Sequence, residues 1–494
     1  MKEKNLFDAI TNVNDEIIEE AKITKLKRKS PKWYKWTALV ACATLIFGIS
    51  QLILKMENEI PDIGAILNES PDIGANLNEN PHLGNVLNKN PHIRAILDVV
   101  YPRAYAFEDY DANRRNREEN PVDNNFIEAL NDFSYKTSAL ILTNSGKNIN
   151  YSPISLYYAL SLATSGAKND TESELLDLLG VSDTETLSTQ CGNLYRLLYK
   201  DNNIGKLKIA NSIWMDDDMN GAPIVFKDDF VKNAAENFYA SSHSVDFASE
   251  ETGKAMSDWV SANTNGTLSP KIETDPNEQI LSILNTVYFY DQWINRFDKS
   301  KTAEDVFYLS DGGNVKCDFL NQSFMSINFT EGEGFTRADL QLKNAGQMVF
   351  ILPDDGISPY ELLSSPKQMK ETFEGGKKFY GEVVWKIPKF SFGSNLSLAE
   401  VLKSLGVSSA FMPNADFTGI TDSMASITDV HQETHIAIDE NGVEASAFTQ
   451  IVYVGSAQPE CRADMILDRP FIYGITEQNG SLLFVGVCEN PAEG

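Results

Sequence analysis

The chain has 494 residues, 42% of them hydrophobic, and carries a formal net charge of −28 with a pI near 4.6. That length and apolar content support a large buried core, whereas so acidic a balance excludes nucleic acid as a partner, since phosphate counterions must be displaced by clustered Lys and Arg. Five cysteines, Cys42, Cys191, Cys317, Cys461 and Cys488, stand at wide and unrelated spacings that form neither a disulfide framework nor a zinc pattern.

Leu6, Ile10, Val13, Ile17 and Ala21 recur at helical spacing and predict a short amphipathic helix within a head of residues 1–36. Lys25, Lys27, Arg28, Lys29, Lys32 and Lys35 precede an apolar run from Thr37 to Leu54, about the minimum length for a membrane span. Trp33, Tyr34 and Trp36 sit where interfacial aromatics belong, and the charge asymmetry predicts an uncleaved signal-anchor over 37–54 with everything after it outside the membrane. The alternative is a secretory signal cleaved near Gly48-Ile49-Ser50.

Residues 55–121 read as a stalk. Pro61, Pro71, Pro81 and Pro91 mark four decapeptide repeats over 60–99, with Ile63, Ile73, Leu83 and Ile93 in register and Leu67, Leu77, Leu87 and Leu97 in register. Ser70, Asn80 and Asn90 before three of the prolines read as N-caps, so each unit predicts one or two capped helical turns, too short to be stable alone. The charged stretch Glu108 to Asn125, with Arg114-Arg115-Asn116-Arg117 and Pro121, reads as a hydrophilic linker ending at the boundary of a main domain, 122–494.

Within that domain Phe126 to Leu142 and Ser155 to Ser165 carry helical periodicity, and Thr171 to Leu179 predicts a third helix with a Thr171–Glu174 capping box. Strand-like runs follow at Ile280 to Tyr290, Gln347 to Leu352 and Glu382 to Ile387. A large α+β domain rich in antiparallel sheet is the physical expectation.

Seven signatures then appear in order: Asn150-Tyr151-Ser152-Pro153-Ile154-Ser155 with Ser165 to Thr171; Asn211-Ser212-Ile213-Trp214; Asp258-Trp259-Val260 with Thr264-Asn265-Gly266; Asn285 to Phe289 through Trp293 and Phe297; Ile387-Pro388-Lys389-Phe390; Leu405-Gly406-Val407; and Ala415-Asp416-Phe417. Asp439-Glu440-Asn441-Gly442-Val443-Glu444-Ala445-Ser446-Ala447, an uncharged run to Gln458, and Arg469-Pro470-Phe471 complete the series. Over roughly the last 370 residues the chain resembles the serpins, inhibitors of serine proteases.

The resemblance implies a serpin fold of about eight or nine helices around three β-sheets with an exposed reactive centre loop. It implies a monomeric inhibitor rather than an enzyme, whose partner is a target serine protease held in a covalent complex. It places Ser152, Ser155, Asn285, Trp293 and Gln432 in the region where the main sheet opens, with Gln432 standing where the family usually has histidine. It makes Glu440, Gly442, Val443, Ala445, Ser446 and Ala447 the hinge. On insertion Val443, Ala445, Ala447, Thr449 and Ile451 would face inward, small or apolar and uncharged, while Glu444, Ser446, Phe448 and Gln450 would face outward. Ser456–Ala457 is the expected scissile bond, and Tyr453, Val454 and Gly455 beside it suit elastase-like or subtilisin-like targets; recognition at Tyr453 would make the target chymotrypsin-like.

Other chemistry finds no support in the residues. His431-Gln-Glu-Thr-His435 matches neither zinc-protease motif, because its Glu is misplaced and the segment alternates like a strand. No nucleophile elbow and no phosphate-binding glycine loop is present, and neither a cofactor nor a metal is expected. A non-inhibitory serpin serving as a surface binding or scaffold protein is the alternative, suggested by Val443 in place of a Thr or Ser and by Phe448 among small residues.

Overall fold

The computed structural model describes residues 93–106, 108–143, 146–219, 221–275, 279–344, 346–428, 430–443 and 461–493. The head, the apolar run 37–54 and the first three repeats lie outside them, and so do the loop residues 444–460 with the expected scissile bond. Among the described residues no helix is long and apolar enough to cross a membrane.

The chain opens with β1 (Ile93–Leu97), α1 (Tyr110–Glu119), α2 (Asn124–Ile141), β2 (Ile149–Tyr151), α3 (Pro153–Thr164), α4 (Asn169–Leu179) and α5 (Thr184–Leu198). It continues through β3 (Lys200–Asp201), β4 (Lys206–Asp216), β5 (Asp218–Met219), β6 (Ala222–Pro223), α6 (Asp228–Asn237), β7 (Ala240–Val245), α7 (Glu250–Asn263) and β8 (Leu281–Gln292). A meander of β9 (Ala303–Tyr308), β10 (Asn314–Gly332), β11 (Phe335–Gln341) and β12 (Gln347–Pro353) leads to α8 (Pro359–Leu362) and α9 (Pro366–Glu374). Then come β13 (Lys377–Pro388), β14 (Phe390–Ser397), α10 (Ala399–Ser404), β15 (His431–Ile438), β16 (Gly442–Val443), β17 (Arg462–Ile466), β18 (Phe471–Thr476) and β19 (Leu482–Cys488).

The strands form an eight-stranded sheet in the order β1-β7-β4-β8-β16-β15-β14 with β3 paired to β4, a nine-stranded sheet in the order β17-β13-β10-β11-β12-β18-β19-β2 with β9 paired to β10, and a two-stranded ribbon. This is the α+β arrangement that the resemblance implies, with ten described helices, α8 being only four residues long. The main core joins both large sheets to α2, α3 and α5, and a smaller cluster of Trp214, Val245, Phe247, Met256 and Trp259 covers the other side of the eight-stranded sheet under α7. Helix α3 is apolar nearly all round because both faces are buried, from Ile154 and Leu156 to Leu162.

Three local expectations are corrected. The fourth repeat, expected as capped helical turns, forms strand β1, because Ile93 gains burial on the sheet edge that an isolated turn could not supply. The charged linker contains helix α1, entered by Asp109, whose carboxylate accepts from the Ala112 N–H; Asn116 on its buried side donates to the Arg196 carbonyl. The Thr171–Glu174 capping box does not form. Helix α4 begins at Asn169, so Thr171 lies inside it and accepts from the Asp416 N–H, while Glu174 accepts from the Ser408 and Ser409 N–H groups at 2.7 Å.

Candidate reactive-loop hinge and sheet-opening site

The hinge begins as a turn that its own side chains shape. The Asp439 carboxylate accepts from the N–H groups of Asn441 (2.7 Å) and Gly442 (3.2 Å), and the Asp439 N–H donates to the Gly442 carbonyl (3.0 Å). This Asx-type geometry reverses the chain from β15 into β16. The three carbonyls of the turn are then taken by one neighbouring segment. The Trp293 indole donates to Asp439 (2.9 Å), the Phe297 N–H to Glu440 (3.1 Å) and the Trp293 N–H to Asn441 (2.9 Å).

Glu440 is 6% exposed and needs charged partners. Its carboxylate accepts from the Thr302 hydroxyl at 2.8 Å and lies 3.2 Å from the Lys389 ammonium. Burial alone would raise this carboxyl; its own backbone N–H, Thr302 and Lys389 outweigh burial and hold it below the ordinary carboxylate range. Beyond it Gly442 pairs with Gln292 and Val443 with Asp291 on β8, while Val443 pairs with Ile438 on β15. A Cβ at Gly442 would stand 2.1 Å from the Asp291 carbonyl oxygen, so only glycine fits the groove. Val443 is buried against the main core, and the described strand ends there.

Below the hinge lies a buried polar centre. Gln432 is committed to the backbone of a single residue: its Oε1 accepts from the Ser152 N–H and its Nε2 donates to the Ser152 carbonyl, both at 2.9 Å. Glutamine can close this two-way clasp because its amide both donates and accepts. The Ser152 hydroxyl donates to the Leu483 carbonyl at 2.7 Å, so it does not cap α3. The Ser155 hydroxyl donates to Asn285 on β8, Asn285 donates to Asn211 on β4, and Asn211 donates to the Phe238 carbonyl at 2.8 Å. Helix α3 thereby holds β15 through Ser152 and β8 through Ser155. Among the described residues no ladder joins β8 directly to β15; β16 alone lies between them. His431, next to Gln432, is on the exposed face.

The other end of the loop enters a different sheet. The Cys461 carbonyl accepts from the Glu382 N–H at 3.0 Å, and β17 continues parallel to β13. Arg469 donates to the Pro353 carbonyl at 2.9 Å, and Phe471 is buried. Ala445, Ser446, Ala447, Tyr453, Val454, Gly455, Ser456 and Ala457 fall outside the described residues. Sequence reasoning missed Thr302, Lys389 and Asn211 as partners of the hinge and the polar centre. Lys389 and Asn211 stood inside quoted signatures, so a count of buried charges and amides needing partners would have raised them; Thr302 carries no signal of its own.

The family described as serpin (serine protease inhibitor) matches residues 128–491. Serpin-Z2B of Triticum aestivum is 30% identical over 384 residues, covering 73% of this chain and 94% of its own length. Serpin-ZX of Arabidopsis thaliana is 26% identical over 391 residues, covering 74% of this chain and 98% of its own. Among solved structures, the thermophilic serpin tengpin in its native state superposes with a TM-score of 0.69 at 24% identity, over 81% of this chain and all of tengpin. With the hinge turn, the seam between β8 and β15 and a family match over most of the chain, this protein belongs to the serpin family.

Proposed function

We propose that this serpin is an irreversible suicide-substrate inhibitor of elastase-like or subtilisin-like serine proteases, cut at Ser456–Ala457 and trapping the acyl-enzyme as residues 443–456 insert between β8 and β15. Residues 37–54 would hold it at a membrane with the inhibitory domain outside. The observation that carries the reading is β16, which already fills the top of the seam in a fixed register.

Continuing that register sets Ala445 between Phe289 and Ile436, Ala447 between Val287 and Thr434, Thr449 between Asn285 and Gln432, and Ile451 between Ile283 and Val430. The inward set is small over the apolar part of the seam and polar where it crosses the amides of the polar centre, so each side chain meets a surface of its own kind. About a dozen new ladder hydrogen bonds at roughly 0.5–1.5 kcal/mol net each would supply on the order of 10 kcal/mol to the trapping step. Protease-driven loop insertion by serpins is an established general device; what belongs to this chain is the register and the target class.

Incubation with elastase, subtilisin and chymotrypsin tests the reading. An SDS-resistant complex and a released C-terminal peptide beginning at Ala457 are expected. Clean cleavage with fully active protease overturns it. Ala447→Arg, which would place a charge over Val287 and Thr434, should turn the inhibitor into a substrate; unchanged trapping by that variant would rule out the register.

A further inference from the structure

Strand β1 belongs to a tandem repeat, and the chain holds more copies of that repeat than the sheet has places for. Ile93 pairs with Val245, Arg94 with Ser244, Ala95 with His243 and Leu97 with Ser242, leaving Ile96 as the extra residue of a bulge. Only Ile93 is deeply inserted, in the cluster of Trp214, Val245, Phe247, Met256 and Trp259. Ala95 lies opposite His243, whose ring stacks on Trp214 at 4.2 Å, while Arg94 is exposed and Ile96 and Leu97 remain 38% and 39% exposed. The strand is thus short, bulged and shallowly seated, which makes it displaceable.

Its sequence recurs upstream. The first repeat reads Ile63-Gly64-Ala65-Ile66-Leu67 against Ile93-Arg94-Ala95-Ile96-Leu97, differing at one position of five, and that position is the exposed Arg94. The second repeat departs further, with Asn76 in the place of Ile96, and the third places Leu83 at the inserted position and Asn85 opposite the buried His243. Glycine at position 64 weakens a strand through backbone entropy, so β1 with Arg94 holds the edge in the resting chain and the first repeat is the next best occupant.

We propose that the β7 edge is a docking site for the decapeptide motif and that its second occupant is the first repeat, residues 63–67, of another copy of this chain. The mode is strand addition to a sheet edge, with backbone hydrogen bonds giving affinity and the Ile pocket giving selectivity. Each molecule has one such edge and spare copies of the motif, so the contact is head-to-tail and can run on from one copy to the next. It requires nothing of the inhibitory loop.

Mixed full-length chains test it. An acceptor carrying Ser244→Cys and Ile93→Asp, which weakens its own β1, is oxidised together with a donor carrying Gly64→Cys. A disulfide between positions 64 and 244, mapped by mass spectrometry of peptides, is expected, with a yield about tenfold above that of a Gly84→Cys donor from the third repeat. A single chain with Arg94→Cys and Ser244→Cys reports that the edge is intact and reactive. If that control links while the 64–244 product is absent, or if the third-repeat donor links equally well, the proposal is wrong.

Discussion

In the nine-stranded sheet, β10 runs against β13 from Phe319↔Pro388 to Glu331↔Lys377, and β11 against β12 from Phe335↔Pro353 to Gln341↔Gln347. In the eight-stranded sheet, the seam between β8 and β15 is closed by Gly442 and Val443, and below them by the Gln432 side chain of β15 on the Ser152 backbone and by the Ser155 side chain of α3 on Asn285 of β8. Both sheets face the same main core. The first is held by long backbone ladders, interrupted once between Phe324 and Ile327, and cannot be opened without exposing many paired groups; the seam of the second is held by a few specific bonds. A seam with so short a backbone pairing is therefore stabilised by side chains.

The strongest way to break this comparison is Gly442→Ala. The new Cβ meets the Asp291 carbonyl oxygen at 2.1 Å, a backbone atom that cannot swing aside, so β16 must leave the seam. A loss of about 2–3 kcal/mol is expected in denaturant unfolding. Hydrogen exchange should quicken at 291–293 and 438–443 while the amides of β10 and β13 keep their protection. Equal loss of protection in both sheets would mean that the seam is not a separate unit.

The hinge was legible through the family resemblance, and its physical ground appears only in the structure. Asp439-Glu440-Asn441-Gly442 needs an Asx turn and a glycine under close approach, requirements that few residues meet. Gln432 and Ser152, far apart in sequence, were brought together only through the resemblance, and their mutual clasp was not readable from either segment alone. The β1 strand and α1 were not legible, because their residues resemble those of a spacer. Proline after an N-cap residue reads as a helix start, and the arginine-rich stretch reads as linker, until tertiary burial of Ile93, Ala112 and Asn116 decides otherwise. Thr171 was misread for a related reason: its hydroxyl had a distant partner, Asp416, to serve in place of the local cap.

A smaller effect is expected at the polar centre. Gln432→Ala leaves the Ser152 N–H and carbonyl without their two bonds in a buried site, at a cost of about 1–3 kcal/mol. The exposed pair of Gln341 and Gln347 in the other sheet supplies the control, since removing the Gln341 amide there should change stability by less than about 0.5 kcal/mol. Thermal unfolding of both variants compares a side-chain clasp with an ornament on an already complete ladder.

Acidification most finely distinguishes Asp339 in the nine-stranded sheet from Glu440 at the seam, because these two carboxylates are shifted in opposite directions. Asp339, on β11, is pushed up to about 6 by burial against the opposing pull of Arg337 and Lys378. Its folded value exceeds its unfolded one, so its charge destabilises the fold at neutral pH and that penalty is relieved as pH falls through about 6. Asp339→Asn should therefore stabilise the protein at pH 7, on the order of 1–2 kcal/mol, and the gain should vanish near pH 4. Glu440 behaves in the reverse sense. Its folded value is depressed, so its contribution is fully present above the ordinary carboxylate range and is lost as pH falls through that range and below. Glu440→Gln should cost about 1 kcal/mol at pH 7, and the cost should fade only below the range in which Asp339 titrates. Urea unfolding of the two variants from pH 7 to pH 3 reads both changes, and curves of the same sign would show that the hinge carboxylate is not held by Lys389 and Thr302.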